Sequence, residues 1–147
     1  VSLSNKEKKK AREHACLILY QYDLGQLPLE EIEENYWNDF AKEFGEAEKR
    51  EIKELAHYLV KKTLERKEEV DEAISKHLKR GWVIERLLPM DRSILREATN
   101  EILYEEISPA EAVINDAVEI AKVYGEDAKS PKFINAVLDK IKRDAGK

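Results

Sequence analysis

Apolar residues recur at intervals of three and four along almost the whole chain, and nowhere do they alternate with polar ones. That spacing is the period of an amphipathic helix, not of a half-buried strand. Ala11, Ala15, Ile18, Leu19 and Tyr22 share one face of a first helix, and Cys16, Leu17 and Tyr20 widen it. A helix apolar nearly all round is expected at the centre of a fold, and Gly25 is a natural C-terminal cap. A second helix is predicted from about Pro28 to Phe44, with Ile32, Tyr36, Trp37 and Phe40 inward and Gly45 as its stop. A long third segment carries two stripes. Ile52, Leu55, Ala56, Leu59, Val60 and Thr63 form one; Val70, Ala73, Ile74, His77 and Leu78 form the other. The charged interval Glu65–Glu69 marks a break between them.

Gly81 ends that segment, and 82–88 reads as a short turn of helix. Asp91 to Tyr104 follows, with Ile94, Leu95, Ala98, Ile102 and Leu103 inward. Ser108-Pro109-Ala110-Glu111 has the residues of a capping box with proline in the first turn. Val113, Ala117, Ile120, Ala121 and Tyr124 line the helix after it, which Gly125 ends. Ser130-Pro131 opens a last helix with the stripe Ile134, Val137, Leu138 and Ile141. The expectation is an all-α globular bundle of six or seven helices.

With 147 residues the chain is long enough for one domain with a sizeable core. Five glycines and four prolines permit long helices. Charged residues make up 39% of the chain, against roughly a quarter in an average protein. The 42% hydrophobic content is nevertheless too high for disorder. A single cysteine, Cys16, excludes an internal disulfide framework and a multi-cysteine zinc site, and a reducing, cytoplasmic setting is expected. No apolar run approaches the ~20 residues that span a bilayer, and the N-terminus does not read as a secretory signal. Glycine-rich phosphate loops, a nucleophile elbow and paired metal-binding histidines are all absent from the sequence. His14, His57 and His77 read as structural or exposed, and Cys16 as packing. No cofactor, metal or catalysis is expected.

The net charge of -5 hides an asymmetry: residues 1–13 carry +3 and 129–147 carry +4, while 23–54 carry -7 and 55–128 carry -5. Lys6, Lys8, Lys9, Lys10 and Arg12 crowd the start of the first helix. The macrodipole disfavours cations there and favours anions, so such a cluster makes a strong local site for phosphate. Tyr20 and Tyr22 follow it, and Tyr124 and Phe133 flank the polar loop Gly125–Lys132. Cations on phosphates with bases stacked on aromatic rings is the way single-stranded RNA is held. Tyr22 and Phe133 read equally as core residues.

Two long segments and one shorter one carry a resemblance. KKKAREHACLILYQYDL resembles the opening of the NusB family of transcription antitermination proteins, and AVINDAVEIAKVYGEDAKSPKFINAVLDKI its C-terminal signature. MDRSILREATNEILY is similar to a central helix of that family. Departures are Ala136 where the family has glycine, a 126–131 loop about one residue longer with Pro131, Asn100 where relatives often have tyrosine, and lysine for arginine in the basic run. Lysine supplies point charges rather than forks, so phosphate contact survives that change better than base-edge readout.

The resemblance implies one RNA-binding domain over 1–147, made of two small helical subdomains, about 1–79 and 80–147. It implies binding to the boxA element of nascent ribosomal RNA transcripts together with NusE, a small-subunit ribosomal protein. Assembly with NusA, NusG and RNA polymerase would follow. It implies that Lys8, Lys9, Lys10 and Arg12 contact phosphates, and that Tyr20, Tyr124, Asp127, Lys132 and Phe133 lie near the RNA. Glu85 and Asp91 are the residues expected at the NusE contact, where acidic surface would meet a basic protein. Asp127 is an awkward neighbour for phosphate, and would lower affinity or accept from a base donor. The free protein is left open between monomer and homodimer. Two other readings stand beside this one: the RNA-recognition domain of a ribosomal RNA methyltransferase, of which these residues hold no methyl-donor site, and a helical scaffold that binds only protein.

Overall fold

A computed structural model describes residues 2–147. It contains seven α-helices and one 3-10 turn, with no strand among the described residues: α1 (Asn5–Leu24), α2 (Leu29–Phe44), α3 (Arg50–Glu65), α4 (Lys67–Ser75), the 3-10 turn (Ile84–Arg86), α5 (Pro89–Tyr104), α6 (Ala110–Tyr124) and α7 (Ser130–Asp144). The expected all-α bundle is what forms. Packing decides it rather than propensity. Burying an Ile or Leu side chain gains about 1.5–3 kcal/mol, several times the ~0.7 kcal/mol that separates ordinary residues in helix propensity.

The start of α1 has a capping box that the charge-based reading overlooked. The Glu7 N–H donates to Ser4 Oγ (3.1 Å) and the Ser4 N–H donates to Glu7 Oε1 (3.0 Å). A hydrogen bond from Lys49, joined by the Ser4 backbone, lowers the Glu7 carboxyl to about 2. The helix therefore begins at Asn5 with an anion in its first turn, and Lys8–Lys10 fall in the second.

From there α1 runs through the middle of the molecule. Cys16 joins the larger apolar cluster, which is built from α4, the 3-10 turn, α5, α6 and α7. Ala15, Ile18 and Leu19 join Ile32, Tyr36, Leu59 and Val60 in a second cluster with α2 and α3. Ala11 joins Ile52 and Ala56 in a third. Val70 and Ile74 of α4 pack with the larger cluster, so the change of core comes at the α3–α4 junction. The predicted break within 65–69 occurs at Arg66, with no glycine or proline to cause it. Arg66 Nη1 donates to Glu105 (2.7 Å) and to Asn100 (3.1 Å), and its guanidinium lies over Tyr104. The kink is thus pinned to the end of α5.

Three helix ends differ from expectation. Ser108 does not cap α6; its hydroxyl instead accepts from Arg12 Nη2 at 2.9 Å. Gly25 and Gly125 follow α1 and α6 in extended rather than left-handed conformation, whereas Gly45 closes α2 with φ +76°. Gly125 is needed for space: a Cβ there would stand 2.4 Å from the Ala121 carbonyl and 3.0 Å from Ser130 Cβ.

Candidate nucleic-acid interface

Helical geometry separates Lys8 and Arg12, four apart on one face, from Lys10 on the other side, with Lys9 between them. Lys8 and Arg12 turn inward. Lys8 Nζ donates to the Ile107 carbonyl at 3.2 Å. Arg12 is 2% exposed. Its Nε and Nη2 donate to the two carboxylate oxygens of Glu101, both at 2.8 Å, and its Nη1 donates to Asp116 at 2.9 Å. Burial opposes the charge, but the Glu101 and Asp116 hydrogen bonds hold the guanidinium well above its ordinary range. The phosphate role expected of Arg12 therefore gives way to a structural one. A buried arginine with its donors engaged by carboxylates has no face left for RNA.

Lys10 is exposed and Lys9 half-buried, and neither makes an ion pair among the described residues. Lys9, Glu13 and Tyr20 follow one another along one face of α1. Tyr124, at the end of α6, donates its hydroxyl to Glu13 Oε1 at 2.8 Å. Burial first, then that carboxylate, pushes the phenol up to about 12. The bond joins Glu13 of α1 to the end of α6, next to the α6–α7 loop. Tyr20, Tyr124 and Phe133 each pack partly on the larger cluster and leave part of the ring in solvent. Tyr22 is exposed and stands outside that core.

The loop has a defined shape. Asp127 Oδ1 accepts from the Lys129 N–H (2.7 Å) and its backbone carbonyl accepts from the Ser130 N–H (3.0 Å). Asp127, awkward beside phosphate, thus holds the turn that leads into α7. Lys132 is exposed in the first turn of α7.

The two acidic residues expected at the protein contact separate. Glu85 is exposed on the 3-10 turn. Asp91 is 5% exposed, with Oδ1 buried and unbonded among the described residues. Burial raises its carboxyl; the Ser130 hydroxyl works the other way, and Glu126 and Asp127 reinforce the rise. Asp91 therefore lies under the α6–α7 loop rather than on the surface, and a direct protein contact through it is corrected to a supporting place beneath that loop.

Sequence reasoning missed Trp82, which follows Gly81 in an exposed turn and packs against Phe133. The signal was a tryptophan in a basic turn, KRGWVIER. The groups with catalytic potential are committed elsewhere. Cys16 is buried and its thiol is raised by desolvation. His14 lies between Tyr36 Oη (2.7 Å) and Glu48 Oε2 (2.8 Å) inside an aromatic cluster. Among the described residues no helix is long and apolar enough to cross a membrane.

This geometry agrees with the likeness to known proteins. The NusB family matches residues 9–143. Transcription antitermination protein NusB of a Nitratiruptor species is 41% identical over 137 residues, covering 92% of this chain and 91% of the relative. The crystal structure of T. maritima NusB superposes with a TM-score of 0.80 at 30% identity, covering 98% of this chain and 94% of that one. A chain from the crystal structure of antitermination factors NusB and NusE in complex with dsRNA gives 0.79 at 30% identity, covering 95% and 98%. With a family match over nearly the whole chain, a close relative and the same helical fold, the chain belongs to the NusB family.

Proposed function

We propose that this protein is a transcription antitermination factor that binds RNA together with NusE. The observation that carries the reading is the unpaired Lys9 and Lys10 on α1, next to Glu13, which accepts from Tyr124 beside the α6–α7 loop. It is supported by membership of a family in which a similar chain occurs with NusE and double-stranded RNA. The finer reading follows the sequence resemblance. The RNA is the boxA element of nascent ribosomal RNA transcripts, bound single-stranded, and the complex joins NusA, NusG and RNA polymerase in the cytoplasm. Lys9, Lys10 and Lys132 hold phosphates, and Tyr20, Tyr124 and Phe133 offer ring faces to bases. Lys8, Arg12, Asp127 and Asp91 support that surface from behind, and Glu85 faces NusE. The protein acts by binding, without a reaction of its own.

Fluorescence anisotropy of a labelled boxA-like single-stranded RNA tests this, with and without NusE and at several salt concentrations. Binding is expected to tighten with NusE and to exceed that of a scrambled RNA. Reversal of both Lys9 and Lys10 to Glu should weaken binding and flatten its salt dependence by about 0.7 in the log–log slope per lost phosphate contact. An unchanged slope would remove both lysines from the interface. Failure to bind RNA under any of these conditions would leave the helical scaffold reading in place.

A further inference from the structure

Trp82 is an aromatic residue outside the RNA surface proposed above. It is 55% exposed, and its ring lies 5.9 Å from that of Phe133 at an interplanar angle of 38°. Phe133 is anchored on the larger apolar cluster, which makes Trp82 the outer member of a fixed pair.

The surroundings are strongly cationic. Lys79, Arg80, Arg86, Lys129 and Lys132 each stand within four residues of one ring or the other, against one acid, Glu85. None of the five makes an ion pair among the described residues. By contrast Lys76 and Lys122, just outside this patch, pair with Glu72 and Glu119. The turn itself is fastened in place. Gly81 takes φ +88°, and the Trp82 N–H donates to the Lys79 carbonyl at 2.9 Å. Arg92 Nη1 reaches the carbonyls of Ile84, Glu85 and Leu87 at 3.1–3.4 Å, while Asp23 accepts from its Nε and Nη2. A platform fixed in advance loses little conformational freedom when a ligand lands on it.

We propose that Trp82 and Phe133 form a two-ring platform on which a base of single-stranded RNA stacks, with the basic turn from Lys79 to Arg86 holding the phosphates beside it. This rests on the RNA-binding reading above and extends its surface to the α4–α5 turn. Every base has a π-face, and aromatic stacking combined with unpaired cations suits single-stranded nucleic acid. The five unpaired cations favour phosphate over a basic protein, and Glu85, the one acid of the turn, is left for the NusE contact.

The test uses the full chain and the labelled boxA-like RNA, with a scrambled RNA of equal length. Trp82→Ala is expected to weaken both by about tenfold, because stacking tolerates sequence, whereas Trp82→Phe should retain most of the affinity. Trp82 is exposed, and circular dichroism should show both variants folded. In a Trp37→Phe background, RNA should quench the emission of the remaining indole. Lys79→Glu with Arg80→Glu should lower the salt slope. If the wild type binds RNA while Trp82→Ala binds equally well and the emission does not change, the platform is refuted and the RNA reading stands. Loss of NusE association with RNA affinity intact would make the patch a protein contact and overturn the proposal. A wild type that binds no RNA would end both.

Discussion

Glu97 lies in the buried middle of α5, one helical turn before Glu101, with its Oε2 unbonded among the described residues. Burial first, and then the charge of Glu101, push its carboxyl well above the ordinary 4.5. A raised acid binds its proton more tightly in the folded chain than in the unfolded one. Its contribution to stability is therefore complete below about pH 4.5 and is lost as pH rises through the folded value. Glu97→Gln keeps the shape and removes the titration. Thermal melts over a pH series should show the variant matching wild type in acid and exceeding it increasingly as pH rises. A constant difference across the series would show that Glu97 is not held protonated. Nothing in the local pattern marks this group's state, because Glu97 reads as one carboxylate among many in an acidic chain.

Arg12 connects α1 to α5 through Glu101, to α6 through Asp116 and to the segment before α6 through Ser108. The buried bond network is what turns one face of α1 inward and leaves Lys10 in water, with Lys9 half-buried at the edge. Removing one partner of a buried ion pair leaves the other charge uncompensated, at a cost of roughly 3–5 kcal/mol. Arg12→Ala should therefore lower stability by about that much in urea denaturation. Arg12→Lys should rescue it only partly, since an ammonium cannot reproduce the fork that engages both Glu101 oxygens. RNA affinity, measured where the variant remains folded, should change far less than in the double reversal of Lys9 and Lys10. The helices themselves were legible: their apolar stripes, the 65–69 break and the turn over 82–88 all appear in the fold. The inward turn of Arg12 was not, since the carboxylates that bind it lie 89 and 104 residues away.

Because α1 contributes side chains to all three apolar clusters, it ties the two sides of the molecule together. Cooperative unfolding in a single transition follows, despite the change of core at Arg66. The two tryptophans can report on this separately, since Trp37 packs with the α2–α3 side and Trp82 sits against Phe133 on the other. Urea titrations followed by emission in Trp37→Phe and Trp82→Phe proteins should give transitions that coincide with circular dichroism for each variant. Separated midpoints within one variant would show that the two sides unfold independently.

Local patterning was enough to define the helical class, most helix positions, the central place of α1 and the basic and aromatic residues from which an RNA surface could be built. These features depend on residues three or four apart, and sequence order alone places such neighbours on a common face. Tertiary packing decided which cations of a continuous basic run stay in water and which pair with buried carboxylates. It also put Asp91 beneath a loop and brought Trp82 to Phe133 across 51 positions of chain. Long-range pairing and burial follow from how the helices cross, and no periodicity within one helix encodes that.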